Sequence, residues 1–420
     1  MNICLVGINQ HTAPVAIREK AAIRSEDLGE ALELLRSQAS HGVILSTCNR
    51  TEVYTIPGDN GSFERASFNF LKTHLDIPET SLLKHAYILE GEEAVEHLFR
   101  TASGLDSMVI GEYEILGQLR QALKTAESLG MVNLPLRHIF QSAIRIGRRV
   151  RQETGISKSP FSVSSVAVEL AVKVLGNLKS CRMLIIGAGE AGKLVAKAAK
   201  DRGVSQIIVA SRTQARASNL TEMLGGIPTS LDNLEEKLAT CNIVVACADA
   251  PRYLLDVSRM EKTMSRRPEL PLVIIDIAVP RNVEPAVAGL KNVFLHNIDD
   301  LSQISEQNRR QRELEVRKVE KIISAELAKF AAWWQGFKVR PLIRAMMSRA
   351  EEIRRSHLER TVKKLPELSD DERFHLEMMT RAIVTKILKE PVQNLKTKKS
   401  DNNDYAAMAK ELFQLDEEKY

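Results

Sequence analysis

Between residues 160 and 298 the chain alternates short apolar runs with helical patterns. Met183-Leu184-Ile185-Ile186, Gln206-Ile207-Ile208-Val209, Ile243-Val244-Val245-Ala246 and Leu272-Val273-Ile274-Ile275 are nearly continuous apolar strands. Strands of that kind, spaced by helices, predict a parallel sheet covered on both faces. A helix over Ser164 to Leu175 leads into this segment. Residues 1–157 have a different texture. Leu5 to Ile8 reads as a strand, Val15 to Ile23 as a helix after Pro14, and 43–56 as strand, polar motif, strand. Residues 92–130 read as helical, with Gly104, Gly111 and Gly117 as breaks, and Arg137 to Arg151 as a further helix. Beyond residue 299 the pattern is wholly helical. Val316, Val319, Ile323, Leu327, Phe330, Trp334 and Phe337 recur about every 3.5 residues, an a/d stripe on one long helix. Asp299 or Asp300 is a candidate cap for it and Pro341 its expected end. Shorter helices follow, with a stop at Pro366, a restart near Ser369-Asp370, and a linker over 396–405 before a last short helix. The expected architecture is a multidomain α/β chain: an α+β catalytic domain (1–157), a Rossmann-type parallel-sheet domain (158–298) and an all-α domain with a long spinal helix (299–420).

Composition narrows the class without changing this picture. The chain has 420 residues, 44% hydrophobic and 27% charged, with a formal net charge of +5. These are ordinary globular values. No apolar run approaches the roughly 18–20 residues of a membrane span, and the N-terminus reads as a first strand. Five cysteines without a CxxC pair argue for free thiols in a reducing cytoplasm, and against a disulfide framework or a metal site. Five arginines and no acid over 137–151, and eight Lys/Arg against three Glu over 340–365, fit either solvated faces or phosphate contacts.

Two motifs carry chemistry. Gly187-Ala188-Gly189-Glu190-Ala191-Gly192 follows a strand, opens a helix and precedes a second strand, the full context of a dinucleotide loop. The helix N-terminus supplies unpaired N–H groups for phosphates. After the second strand, where NAD enzymes place an acid for the ribose, stand Ser211-Arg212-Thr213. A cation with hydroxyls suits a 2′-phosphate and favours NADPH. The other motif is Ser46-Thr47-Cys48-Asn49-Arg50-Thr51-Glu52. A thiol acts as a nucleophile only as thiolate, and Arg50 nearby would lower its pKa. A free Cys after a strand also serves as a small core residue, and the chemistry of the segment alone leaves both open.

The two motifs together resemble the glutamyl-tRNA reductase family. The resemblance covers nearly the whole chain. It runs through Gly7-Ile8-Asn9-Gln10-His11-Thr12-Ala13-Pro14 with Arg18-Glu19-Lys20, the Cys48 motif, Gly104 to Ser107 with Gly111 to Gln118, and Val150 to Thr154. It continues in Asp276-Ile277-Ala278-Val279-Pro280-Arg281 and Lys386 to Pro391. What it implies is NADPH-dependent reduction of glutamyl-tRNA to glutamate-1-semialdehyde, the entry to tetrapyrroles, through a thioester on Cys48. Thr47, Asn49 and Arg50 would hold the substrate, Arg50 facing its carboxylate. Ser107, Glu112, Tyr113, Glu114 and Gln118 belong to the implied glutamate pocket, with Glu112 meeting the α-ammonium. His97 matches a family His that influences activity, although a His in an apolar stretch is usually a satisfied core residue. The chain departs from the family at Glu114, where Gln is usual, and at Tyr113. A homodimer through the 299–338 helix is implied, and the a/d stripe supports it independently. The resemblance also raises a complex with the downstream aminomutase. A small-acid dehydrogenase of the shikimate-dehydrogenase kind would account for the nucleotide loop, but would need neither Cys48 nor the long helix.

Overall fold

A computed structural model of the chain describes residues 3–56, 63–157, 163–301, 313–397, 411 and 413. The chain divides into two compact units, Met1–Ser324 and Ala325–Tyr420.

The first unit begins with β1 (Cys4–Asn9), α1 (Val15–Ala21), α2 (Leu28–Arg36), β2 (His41–Ser46) and β3 (Arg50–Ile56). It continues with α3 (Phe63–Leu75), α4 (Glu79–His85), β4 (Tyr87–Glu90), α5 (Gly91–Ala102), α6 (Glu114–Ser128) and α7 (Leu134–Glu153). The strands form an antiparallel sheet in the order β2-β3-β1-β4. β2 and β3 are a hairpin with Ser46 opposite Thr51, so the Cys48 motif is its turn. Of the three glycines expected to break the 92–130 helix, Gly104 and Gly111 do so, with φ of 74° and 82° in the loop after α5. Gly117 does not: it lies inside α6, where a Cβ would meet nothing within 4 Å.

The second half of this unit is a parallel sheet with helices. α8 (Val163–Leu175) leads into β5 (Arg182–Ile186), α9 (Glu190–Asp201), β6 (Gln206–Ser211), α10 (Gln214–Leu224) and β7 (Ile227–Ser230). Then come α11 (Leu234–Thr240), β8 (Ile243–Ala246), α12 (Val257–Ser265), β9 (Leu272–Asp276) and β10 (Val293–Asn297). The order β10-β9-β8-β5-β6-β7 is that of a doubly wound dinucleotide fold, with the strand order reversing at β5 and β8. One face packs as a cluster that includes Val166, Val195 and Ile275. The same cluster takes in Val15, Met108 and Val109 from the antiparallel half, so the two halves share buried apolar surface.

The helix Glu313–Lys338 ends at a single turn residue, Val339, and a second helix, Arg340–Lys364, starts at once. Pro341 therefore opens a helix rather than closing one, as a residue without an N–H does best at a first turn. The helices after it are long, 25 and 28 residues, not short. The restart falls as expected: the Ser369 hydroxyl receives the Glu372 N–H at 3.3 Å and the Glu372 carboxylate accepts from the Ser369 N–H at 2.9 Å, a capping box. Asp299 and Asp300 sit in a 3-10 turn after β10. Their carboxylates accept N–H groups from Val15 and Asn297, and the start of the helix they were expected to cap lies outside the described residues. The 396–405 linker lies, from residue 398 on, outside the described residues. The apolar stripe is not left in water either. Val319, Ile323, Phe330 and Trp334 are buried within the single chain, with Val316, Leu327 and Phe337 half-buried. No helix among the described residues is long and apolar enough to cross a membrane.

Candidate active site

The β2–β3 turn holds Cys48 by backbone geometry. The Thr47 N–H donates to the Arg50 carbonyl at 2.8 Å, and the Thr47 hydroxyl accepts from the Asn49 and Arg50 N–H groups at 3.2 Å each. Such a hydroxyl-capped turn needs a short polar side chain where Thr47 stands. Asn49 is buried, and its Oδ1 has no hydrogen-bond partner among the described residues. An orphan acceptor of this kind costs free energy unless a ligand or water fills it. Cys48 is half-buried. Burial, then the charges of Glu112 and Glu114, push its thiol up to about 12, against an opposing pull from Arg18. The expectation that Arg50 activates the thiol is therefore wrong for the free protein. Arg18, which donates to the Cys48 carbonyl at 2.9 Å, is the cation that acts on it.

Arg50 is committed elsewhere. Its Nη1 donates to Glu52 Oε1 at 2.7 Å and to the Thr101 hydroxyl at 2.9 Å, and its Nη2 donates to the Asp106 carbonyl at 2.6 Å. Glu52 is fully buried and also receives the Tyr54 and Tyr87 hydroxyls at 2.6 Å each. His97 Nε2 lies 2.8 Å from Glu52 Oε1, and its Nδ1 lies 3.8 Å from Asp106 Oδ2. Burial alone would raise the Glu52 pKa. The Arg50 guanidinium and His97 beside it hold the carboxyl well below the usual range instead. His97 is thus tied into a buried carboxylate network. The sequence pattern offers roles for Arg50 and His97 but none for Glu52, Tyr54 or Tyr87, whose hydrogen bonds join them in one network.

Ser107 and Glu112 are buried in the loop between α5 and α6. Glu112 is pushed up to about 7 by burial and then by the Glu114 charge, while a Ser107 hydrogen bond and Arg50 and Arg151 oppose the rise. Glu114 is raised too, by burial and the nearby Glu190. The loop closes tightly because a Cβ on Gly111 would stand 2.2 Å from the Ile156 carbonyl oxygen. Tyr113 points away from this cluster. It is 65% exposed, donates to the Ser157 carbonyl at 3.3 Å and carries the Arg151 guanidinium 5.7 Å from its ring centre. Arg151 itself reaches the Ala102, Gly147 and Glu112 carbonyls. In the same helix Arg137 pairs with Glu127 and Arg149 with Glu153, each at 2.7 Å. Two of the five arginines of that stretch are therefore ion-paired within the chain.

The glycine loop has the stereochemistry its spacing implied. Gly187 has a φ of 124°, and a Cβ there would lie 2.8 Å from Cys247 and Ala248 backbone atoms. A Cβ on Gly192 would lie 2.0 Å from the Gly187 carbonyl oxygen, so helix and strand can approach only without one. Gly189 caps α9 and has open space above it. The helix starts at Glu190, inside the motif, which puts its first N–H groups at the loop. Arg212 and Thr213, past the end of β6, are exposed, and Arg216 stands one turn on. A cleft of about 740 Å³ joins the two motifs: Cys48, Glu114 and Gln118 line it together with Gly187 to Ala191 and Ser211 to Thr213. Arg50, His97, Ser107 and Glu112 do not line it. The residues present fit a nicotinamide dinucleotide: a backbone cradle, a helix N-terminus, and a cation with hydroxyls beyond the second strand.

Residues 6–154 match the family model described as Glutamyl-tRNAGlu reductase, N-terminal domain, and residues 318–415 match that of its dimerisation domain. Residues 169–304 match the model Shikimate / quinate 5-dehydrogenase. A glutamyl-tRNA reductase of Paenibacillus macerans is 39% identical over 401 residues, covering 94% of this chain and 91% of that one. The chain belongs to the glutamyl-tRNA reductase family. The enzyme of the same name from Natranaerobius thermophilus is 39% identical over 100% of this chain and 93% of its own. The solved structure of the glutamyl-tRNA reductase from Methanopyrus kandleri shares 34% identity and a TM-score of 0.51, with 99% of each chain covered. The dehydrogenase likeness is confined to the nucleotide-binding half. Family membership makes this chain an oxidoreductase of the first step of tetrapyrrole synthesis. The small-acid dehydrogenase reading accounts for the middle third alone.

Proposed function

We propose that this chain reduces glutamyl-tRNA to glutamate-1-semialdehyde with NADPH, through a glutamyl thioester on Cys48. The observation that carries the reading is the single cleft walled by Cys48 and by the dinucleotide loop. The Cys48 sulfur attacks the ester carbonyl carbon; a C–S bond forms, the bond to the tRNA 3′ oxygen breaks, and that oxygen takes the thiol proton. A nicotinamide dinucleotide held by the Gly187–Gly192 loop and Arg212 would supply hydride to the same carbon; the C–S bond then breaks and the Cys48 sulfur regains a proton from water. A thiol pushed up to about 12 is a poor nucleophile in the free protein. The substrate's α-ammonium, bound against Glu112 and Glu114, offsets the two charges that help hold it there. Glu114, unlike an amide, adds to that attraction. Asn49 Oδ1 is an unused acceptor for the same group. Incubation with charged tRNA, with and without NADPH, followed by mass analysis of Cys48 tests the reading. The adduct should accumulate without NADPH and vanish with it. Its absence in both arms overturns the thioester.

The cofactor choice rests on Arg212. Arg212→Glu places a carboxylate where a 2′-phosphate would bind. The ratio of NADPH to NADH affinity is expected to fall roughly tenfold or more, about 1.4 kcal/mol per decade. Fluorescence titration of both dinucleotides measures it. An unchanged ratio excludes Arg212 as the discriminating residue.

The homodimer belongs to this reading, through a different face from the expected one. The stripe on Glu313–Lys338 is largely buried in one chain. On the following helices Ile353, Met379, Ile383 and Ile387 are 50%, 53%, 50% and 65% exposed around an apolar groove of about 480 Å³. Apolar surface of that extent is rarely left in water, and it lies within the match to the dimerisation domain. A second copy related by a two-fold covers both faces at once. Ile383→Glu with Ile387→Glu is expected to halve the mass seen by light scattering at low micromolar concentration. A mass unchanged from the parent places the interface elsewhere.

A further inference from the structure

Two signatures of the sequence are given no step in the reaction above: Arg18-Glu19-Lys20 and Asp276 to Arg281. The structure brings them together. α1, just ahead of the nucleophile hairpin, carries adjacent opposite charges. Arg18 is buried and pairs with Asp299, in the turn after β10, and Asp299 also accepts the Val15 N–H at 3.1 Å. Glu19 takes Arg281 in a two-point grip, Nε at 2.7 Å and Nη2 at 2.5 Å, with both side chains mostly buried. Arg281 follows β9. Its segment is held rigid by the buried Asp276, whose carboxylate accepts N–H groups from Ala278 at 3.1 Å and from Asn282 and Val283 at 2.8 Å. Ile277, Ala278 and Val279 of that segment line the same cleft as Cys48.

The pairs are crossed in sign. Arg18 meets an acid and Glu19 meets a base, so a shift by one residue sets like charges together. Bidentate carboxylate–guanidinium pairs are the more directional kind. Arg18 completes the chain of contact, because the same guanidinium donates to the Cys48 carbonyl at 2.9 Å. One helix therefore grips the nucleotide-binding half at the ends of two neighbouring strands and the nucleophile turn at once.

We infer that Arg18, Glu19, Arg281 and Asp299 are positioning residues that latch the nucleotide-binding half over the Cys48 turn and keep water from the acylated thiol. The inference rests on the thioester reading for its consequence, though not for the closure itself. In an unlatched cleft, water adds to the thioester carbon, the C–S bond breaks, the Cys48 sulfur recovers a proton and glutamate leaves as a free acid. No redox partner is consumed.

The test uses the full-length protein in four forms besides the parent: Glu19→Arg, Arg281→Glu, the double swap Glu19→Arg with Arg281→Glu, and Asp299→Asn. One readout needs neither tRNA nor dinucleotide: the rate at which N-ethylmaleimide alkylates Cys48. The other is the release of free glutamate from charged tRNA with no dinucleotide present. Both rates are expected to rise roughly three- to tenfold in the three single variants, within the range of contact coupling energies. The swap re-forms the pair and should return both to within about twofold of the parent. Parental rates in all the single variants overturn the latch. So does a swap that stays leaky while its thermal melt matches the parent. If the parent never acylates Cys48, the thioester reading falls, and the alkylation arm still decides whether the latch closes the cleft.

Discussion

Cys48→Ser is expected to lower semialdehyde formation by at least about a thousandfold, while dinucleotide binding and the thermal melt stay at parental values. The cleft is already hostile to charge on this atom: burial and the carboxylates of Glu112 and Glu114 push even the thiol up to about 12. A hydroxyl there ionises far less readily, and a serine ester accepts hydride more poorly than a thioester. The sign of the pH dependence follows from the same environment. A raised thiol pKa means little thiolate at neutral pH, so alkylation of Cys48 in the free enzyme should be slow at pH 7 and still climbing at about pH 10. Saturating a substrate-like amine should move that curve toward lower pH. Single-turnover assays with aldehyde trapping measure the first effect and thiol-alkylation rates the second. Turnover by the Ser variant within tenfold of the parent removes Cys48 from the chemistry. An alkylation profile that levels off below pH 9 contradicts the placement of Glu112 and Glu114.

The parts of this molecule that a sequence displays are those set by local rules. The glycine loop is one: each of Gly187 and Gly192 is required by a backbone contact only a few residues or one strand away. The Cys48 hairpin is another, since a turn motif between two apolar runs forms whatever surrounds it. The four central strands were legible because both their faces are buried. β7 and β10 were not, because they are the edges of the sheet. β7 contains Pro228 and buries only Thr229, and β10 buries only Val293, so neither shows the apolar run that betrays a central strand. Partnership across the chain was also hidden. Nothing local assigns Glu52 to Arg50 and His97 together, Asp299 to Arg18, or Arg281 to Glu19, pairs up to 281 residues apart. Arg50 was read as the activator of Cys48 because they are neighbours in sequence. In a strand leaving a tight turn, side chains two apart share a face only if the backbone is regular between them, and here the turn intervenes. The a/d stripe misled for a related reason: periodicity identifies which face is buried, but not what buries it.

The largest effect on stability is expected at Glu52. Its carboxylate is wholly enclosed and takes four donors: Arg50 at 2.7 Å, His97 at 2.8 Å, and the Tyr87 and Tyr54 hydroxyls at 2.6 Å. Glu52→Gln keeps the shape and removes the charge. Arg50 is then a buried cation whose remaining acceptors, Thr101 and the Asp106 carbonyl, are neutral. Breaking one side of a buried pair costs about 3–5 kcal/mol, more than the pair itself contributes relative to apolar residues. Urea unfolding should therefore show a loss of that size in the single variant. A double variant, Glu52→Gln with Arg50→Met, should recover a large part of it, because the stranded charge is gone. The pH dependence separates this account from simple loss of packing. A carboxyl held below its unfolded range contributes stability that is present above the unfolded pKa and is lost as pH falls through the folded one. The parent should thus lose stability steadily on acidification below about pH 4.3, where an unfolded Glu begins to take up protons. In Glu52→Gln that part of the acid limb disappears, so the two unfolding curves converge toward low pH. A cost that stays constant with pH, or a double variant no more stable than the single one, would mean that Glu52 holds this site by shape rather than by charge.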